Sequence, residues 1–277
     1  MPGTLFVVAT PLGNLGDLST RAGETLRRVG VVAAEDTRRV RVLLAHLDAH
    51  PRVLSFHAHS PDRRRELLLA ILQDGRDVAL VTDAGTPGVS DPGEQLVQSV
   101  RAAGLAVVPI PGPSAVSTAL SAAGLPADRF LFLGFLPRKG RERQRLLGQV
   151  AESEWTIVLY EAPSRLVDLL TDLAAQAGGD REAVVARELT KVHEEFRTGT
   201  LVELASYYGE SEPRGEITLV VAGRGEPPSP AEARPDVAGQ AASLLAGGLT
   251  RKAVVQRLVA DLGVPRNEAY RIVMSLA

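Results

Sequence analysis

Val78-Ala79-Leu80-Val81-Thr82-Asp83-Ala84-Gly85-Thr86-Pro87-Gly88-Val89-Ser90-Asp91-Pro92-Gly93 is the most informative stretch of the chain. Val78 to Val81 form a short continuous apolar run, the mark of a strand buried on both faces. Three glycines, two prolines and two aspartates follow, and a helical pattern begins at Glu94. Glycine lets a ligand approach the backbone, proline stiffens the loop, and aspartate accepts hydrogen bonds. A loop at the carboxyl end of a buried strand is where open α/β sheets hold their ligands. A plain crossover turn is the alternative, and it rarely needs so many special residues together.

The same pattern repeats on either side. Thr4–Ala9 is an apolar run ending in Thr10-Pro11-Leu12-Gly13-Asn14-Leu15-Gly16-Asp17, with Ser19 or Thr20 positioned to cap a helix through Arg28. Val31–Ala34 leads into Glu35-Asp36-Thr37-Arg38 at a helix start. Val53–Phe56 and a helix over Asp62–Gln73 bring the chain to the central strand. Ala106–Ile110 runs into Pro111-Gly112-Pro113-Ser114-Ala115, where Ser114 is placed to cap the next helix. Strands alternating with helices of about ten residues predict a mostly parallel sheet. Three loops, 10–17, 83–93 and 111–115, then share one sheet edge and can line one pocket.

Residues 1–125 read as this first α/β domain, and 126–223 as a second. The expected strands of the second are Phe130–Phe135, Thr156–Tyr160, Ala183–Glu188, Glu194–Thr198 and Glu216–Ala222, with helices over Ser164–Ala177 and Leu201–Tyr208. The proline-rich residues 224–236 read as a linker. Residues 237–277 form a helical tail over Val237–Ala246, Thr250–Asp261 and Arg266–Ser275. Its last two helices are joined by Leu262-Gly263-Val264-Pro265, as in a helix-turn-helix.

Composition narrows the chemistry. The 277 residues are 45% hydrophobic and suffice for two domains. No run reaches the ~18 apolar residues of a membrane span, and no leader pattern opens the chain, so a soluble cytoplasmic protein is expected. The absence of cysteine excludes disulfides, thiolate nucleophiles and sulfur-held metals. His57 and His59 are the nearest histidine pair, and no metal site is expected. All but three of the 31 basic residues are arginine, which reads as codon bias, although arginine forks suit phosphate where they cluster. Five of the eight residues 138–145 are basic: Arg138, Lys139, Arg141, Arg143 and Arg145. The tail from Thr250 sets Arg251, Lys252, Arg257, Arg266 and Arg271 against Asp261 and Glu268, on a chain whose net charge is −2. Both segments are candidate RNA contacts. A solvated loop is the competing reading of the first, and a dimerisation cap or simple core packing of the second.

The usual dinucleotide and triphosphate cradles are missing. Backbone-rich loops with few fixed charges suit a zwitterionic, adenine-bearing ligand better than a polyphosphate.

Seven motifs in register resemble the tetrapyrrole-methylase superfamily: residues 10–17, 34–38, 82–93 and 111–115, then Phe132-Leu133-Gly134-Phe135-Leu136-Pro137-Arg138-Lys139, Leu159-Tyr160-Glu161-Ala162-Pro163-Ser164-Arg165 and Ala186-Arg187-Glu188-Leu189-Thr190-Lys191. They are most similar to the branch that methylates the 2′-hydroxyl of a cytidine in the decoding region of 16S rRNA with S-adenosylmethionine. The resemblance implies two α/β domains with the methyl donor in the cleft between them, the small ribosomal subunit as substrate and a homodimer. Donor contacts would come from Pro11, from Asp83, Ala84, Gly85, Val89 and Ser90, and from Ser114 and Ala115. The second domain would add Tyr160, Glu161, Ala186, Leu189, Gly215, Glu216 and Ile217. Gly88, Val89 and Ala162 depart from the residues usual in the family and bear on pocket shape.

A sulfonium carries an activated methyl group, so transfer needs in-line geometry and no metal. A ribose hydroxyl is a poor nucleophile, for which a base could contribute ~10²–10⁴-fold. Asp36 and Glu161 are candidate bases, and Lys191 is one if burial lowers its pKa. The competing reading of each is an ion pair with Arg38, Arg165 or Arg187. His193, beside two acids, reads as a surface or polar-network histidine. Arg38 and Arg165 join the candidate RNA contacts. A tetrapyrrole methylase of the same fold and a non-catalytic RNA-binding assembly protein are the alternatives.

Overall fold

A computed structural model describes residues 1–211, 213–224, 237–262 and 264–276. They fall into two compact units, Met1–Gly225 and Glu226–Ala277.

The larger unit contains two five-stranded sheets among the described residues. The first runs β3-β2-β4-β1-β5, from β1 (Thr4–Val8), β2 (Val31–Ala34), β3 (Arg52–Ser55), β4 (Val78–Val81) and β5 (Ala106–Ile110). Every pair in it is parallel. Its helices are α1 (Thr20–Arg28), α2 (Thr37–His46), α3 (Asp62–Gln73), α4 (Glu94–Ala102) and α5 (Ala115–Ala123). Successive strand side chains point to opposite faces. Leu5, Val31, Val78 and Leu80 therefore enter one core with Leu68 and Leu96, while Phe6, Val32, Ala79 and Val81 enter the other with Leu26 and Leu44. Two buried faces explain why the strands read as unbroken apolar runs.

The second sheet runs β6-β7-β10-β8-β9, from β6 (Phe130–Phe135), β7 (Thr156–Glu161), β8 (Glu182–Arg187), β9 (Glu195–Thr200) and β10 (Ile217–Val221). It is mixed: β6 and β7 are parallel, and the other pairs are antiparallel. One face packs on α6 (Arg141–Glu152), α7 (Leu166–Ala177) and α8 (Leu201–Glu210). The other carries Val158, Val184 and Val220 against Val116 and Leu120 of α5, which joins the two sheets into one body.

Caps match the expected starts in part. Ser19 accepts from Ala22 N at 3.2 Å and opens α1. Thr200 opens α8 in a reciprocal capping box with Glu203. Thr200→Ala is therefore expected to lower unfolding free energy by about 1 kcal/mol in a denaturant titration. Ser114, expected as a cap, makes no capping hydrogen bond; its backbone is extended and its hydroxyl stays available.

The smaller unit packs α9 (Val237–Ala246), α10 (Arg251–Leu262) and α11 (Arg266–Ser275) around Ala241, Val254, Leu258, Ala269 and Val273. Arg251, Lys252, Arg257, Arg266 and Arg271 are exposed on it. Of the expected linker, residues 225–236 lie outside the described residues, as does Gly263 in the turn.

Candidate active site

The carboxyl ends of β1, β4 and β5 are neighbours, so their three loops meet. Thr10 and Gly85 exchange backbone hydrogen bonds at 2.8 and 3.0 Å. Thr10 Oγ1 donates to Thr82 O, and Thr86 Oγ1 donates to Pro113 O, each at 3.1 Å. The loops thus form one stitched rim, whose floor is completed by the second sheet. At a bulge in β6, Gly134 has φ +61°, and an added Cβ would lie 2.8 Å from Ser90 Oγ. Only glycine allows that approach without strain.

Between rim and floor lies a cavity of about 430 Å³. That volume falls within the usual range for small-molecule sites. It is lined by Asp83, Ala84, Gly85, Val89, Ser90, Ser114, Ala115, Tyr160, Glu161, Gly215, Glu216 and Ile217, all expected from sequence. Pro11, Ala186 and Leu189, also expected, do not line it. Pro11 yields the position to Leu12, while Ala186 and Leu189 are buried in the core shared with α5. The structure adds Glu35, Arg39, Thr86, Asp91, Phe135, Ala162, Pro163 and Thr218. Phe132 and Phe135 pack on Tyr160 at ring-centroid distances of 4.9 and 5.6 Å, giving one aromatic corner.

The three candidate bases sit in different surroundings. Asp36 is outside the cavity. Its carboxylate caps α2 by accepting from Arg38 N at 2.8 Å and pairs with the Arg38 guanidinium at 2.7 and 3.1 Å. Those hydrogen bonds hold it well below the usual carboxylate range, which leaves it little proton affinity. Lys191 also lies outside the cavity lining. Burial acts to lower its pKa, but bonds from Nζ to Glu188 Oε1 (2.7 Å) and Glu216 Oε2 (3.2 Å) outweigh it and the net direction is upward. The condition on which it could serve as a base is not met. Its stem crosses Gly13, where a Cβ would collide with the Lys191 methylenes. Glu161 is 2% exposed at the end of β7, and burial raises its pKa. Oε1 accepts from Ala162 N at 2.8 Å, and Oε2 lies 3.1 Å from Arg165 Nη2.

Two neighbouring acids carry further charge. Asp91 is pushed up to about 6, first by burial and then by Glu35 and Asp83. Glu35 is raised by burial and by Asp83. Tyr160 is pushed up to about 12 by burial and Asp91. Sequence reasoning missed Glu35 and Asp91 because nothing in the spacing tells which side of a loop faces inward.

Among the candidate RNA contacts, Arg38, Arg138, Lys139, Arg141 and Arg145 are exposed. Arg145 is engaged by Glu142 at 2.7 Å. Arg143 is a correction: it is buried, with Nε donating to Asp172 and Nη1 to Pro137 O, so it braces α6 against α7. Arg165 is half-buried and holds Glu161 and Leu136 O. Exposed His193 makes no contact with the cavity.

The cavity suits the implied S-adenosylmethionine on one observation above others. Five carboxylates, Glu35, Asp83, Asp91, Glu161 and Glu216, line it against Arg39 in the lining and Arg165 and Lys191 behind it, a balance that favours a cationic ligand. The uncapped Ser114 hydroxyl, which lines the cavity, offers a polar partner for a nucleoside. Among the described residues no group of His, Asp or Glu is placed to hold a metal ion, and no helix is long and apolar enough to cross a membrane.

Comparison with known proteins agrees with this geometry. The family model for Tetrapyrrole (Corrin/Porphyrin) Methylases matches residues 4–205. A Synechocystis sp. protein named ribosomal RNA small subunit methyltransferase I is 46% identical over 99% of this chain and 98% of its own. The Escherichia coli O157:H7 protein of that name is 42% identical over 97% and 94%. Among solved structures, a cobalt precorrin-4 methyltransferase superposes with a TM-score of 0.64 at 18% identity, over 79% of this chain and 94% of its own. The Thermus thermophilus uroporphyrin-III C-methyltransferase complexed with S-adenosyl homocysteine gives 0.59 at 20%, over 80% and 98%. Those two likenesses carry the fold alone. The chain belongs to the tetrapyrrole methylase family and, by relatives matching nearly its whole length, to its ribosomal RNA small subunit methyltransferase I group.

Proposed function

We propose that the protein transfers the methyl group of S-adenosylmethionine to the ribose 2′-hydroxyl of a cytidine in the decoding region of 16S rRNA, on the small ribosomal subunit. The observation that carries this reading is the 46% identity across 99% of the chain to a protein bearing that family's name. The acid-lined cavity supports it. The donor, when bound, supplies an already activated methyl group. The protein's task is to orient it and to receive a proton from the hydroxyl. Residues 83–86, Val89, Ser114, Ala115 and 215–218 would hold the donor. Phe135, 55% exposed beside the cavity, offers an apolar face at the entrance. Glu161 is the one of the three candidate bases that both faces the cavity and has its proton affinity raised.

Arg138, Lys139 and Arg141 are exposed and make no ion pair among the described residues, so they are open to phosphate. The smaller unit presents Arg251, Lys252, Arg266 and Arg271 in the same way. Changing these last four together to glutamine is expected to weaken binding to isolated small subunits. The slope of log affinity against log salt should drop by about 0.7–0.9 per lost phosphate contact. Donor affinity measured by calorimetry should not change. Equal affinity and slope in the variant would remove the smaller unit from the RNA interface.

Mass spectrometry of 16S rRNA from cells with and without the gene tests the reaction itself. A single ribose methyl on a decoding-region cytidine should disappear with the gene. An unchanged methylation map, with methyl transfer to a tetrapyrrole by the purified protein, would overturn the reading.

A further inference from the structure

The cavity holds more negative charge than the chain's own cations balance. Of its five carboxylates, three have a cation against them. Arg39 Nε lies 3.8 Å from Asp83, Arg165 Nη2 lies 3.1 Å from Glu161, and Lys191 Nζ lies 3.2 Å from Glu216. Glu35, at the end of β2, and Asp91, in the loop after β4, form no ion pair among the described residues. Both are partly buried, where an unmatched charge is costlier than in water, and both face the space a ligand would fill.

Resting on the methyl-donor reading above, we infer that Glu35 and Asp91 sense the charge on the ligand's sulfur, so that the site holds the cationic donor and releases the neutral product. The donor carries a sulfonium, an ammonium and a carboxylate, a net charge of about +1 in the ordinary ionisation range of these groups. On transfer the S–CH₃ bond breaks with its electron pair left on sulfur, an O–CH₃ bond forms, and the hydroxyl proton passes to the Glu161 carboxylate. The remaining sulfide ligand is neutral overall. The unmatched carboxylates then lose their counter-charge, and the product loses an attraction the donor had. Adenine, ribose and the amino-acid end are common to both ligands, so those contacts cannot discriminate between them. Charge at the sulfur can.

The groups facing Asp91 are Glu35, Asp83, Tyr160 and the Thr82 hydroxyl, which favours the ionised carboxylate; Glu35 is faced by Asp83, Asp36, Arg39 of α2 and His57. Asp91 has its proton affinity raised, to about 6, so near that pH it is part protonated in the free protein. A bound cation favours the ionised form, and donor binding there must displace a proton. The discrimination is complete above that value and fades as pH falls through it.

Calorimetry on the full chain tests this with S-adenosylmethionine and S-adenosylhomocysteine as the two probes, at about pH 8 and about pH 5.5. For the wild type, the preference for the donor over the product should fall on acidification. Titrations in buffers of different ionisation enthalpy should show proton release with the donor only. At the higher pH, Asp91→Asn should weaken donor binding about tenfold and product binding less than about twofold. Glu35→Gln should act in the same direction. The wild-type pH series keeps the test independent of whether either variant folds. A donor preference unchanged between the two pH values, or equal weakening of both ligands in Asp91→Asn, overturns the inference while leaving the methyl-donor reading intact. Failure of the wild type to bind either ligand overturns that reading, and this inference with it.

Discussion

Replacing Glu161 by glutamine is expected to lower kcat for methyl transfer by about 10²–10⁴-fold, the range supplied by a positioned base. The substitution preserves shape, and an amide oxygen can still accept from Ala162 N, as Oε1 does now at 2.8 Å. Donor affinity should therefore change only a few-fold while turnover collapses. The pH profile of kcat should also lose its acidic limb, because burial has raised the proton affinity of this carboxyl. Single-turnover kinetics on small subunits separates chemistry from binding. Asp36→Asn is the control: its carboxylate is committed to Arg38 outside the cavity, so kcat should stay near that of the wild type. Normal turnover in Glu161→Gln would reduce Glu161 to a brace for the turn at Ala162-Pro163.

Arg165→Ala should be the most damaging change to stability at the same place. The Glu161 side chain is fully buried, and among the described residues Arg165 is its only ion-pair partner, at 3.1 Å. Removing one member of a buried pair costs about 3–5 kcal/mol, because an uncompensated charge is left behind. The sign of the pH dependence follows from the direction of the Glu161 shift. Its folded pKa lies above the ordinary carboxylate value, and loss of Arg165 moves it higher. The charge penalty is then present above that raised pKa and relieved as pH falls through it. Urea unfolding should show a larger deficit near pH 8 than near pH 5, with a gap of about 1.4 kcal/mol per unit of further shift. Adding Glu161→Gln to Arg165→Ala should recover much of the loss at the higher pH. A deficit independent of pH, with no recovery in the double variant, would mean that Arg165 acts only through its bond to Leu136 O.

The second sheet shows where sequence reading stopped. Thr156–Tyr160 and Phe130–Phe135 were legible as strands from their apolar runs, and the observed β7 and β6 differ by one residue at most. Nothing local says that β7 and β10 are antiparallel, because direction depends on how the connections pass around the body. The arginines of 138–145 illustrate the same limit. Arg143 and Arg145 are chemically alike, yet one is buried against Asp172, 29 positions away, and the other is exposed beside Glu142. A partner on a different helix is invisible to a local pattern. Lys191 repeats the lesson through Glu216, 25 positions on.

From the residues alone came the buried strands, the loops rich in glycine, proline and aspartate at their ends, the helical tail and the family resemblance. Each of these rests on patterns within a few residues or on motifs in order, and a chain carries both before it folds. The folded arrangement of the two sheets around α5 decided the rest: that the loops close over one cavity, that Glu35 and Asp91 line it without an ion pair, and that Asp36 and Lys191 lie outside its lining. Those outcomes depend on which distant side chain reaches a charge first, and only the folded chain brings such groups within range.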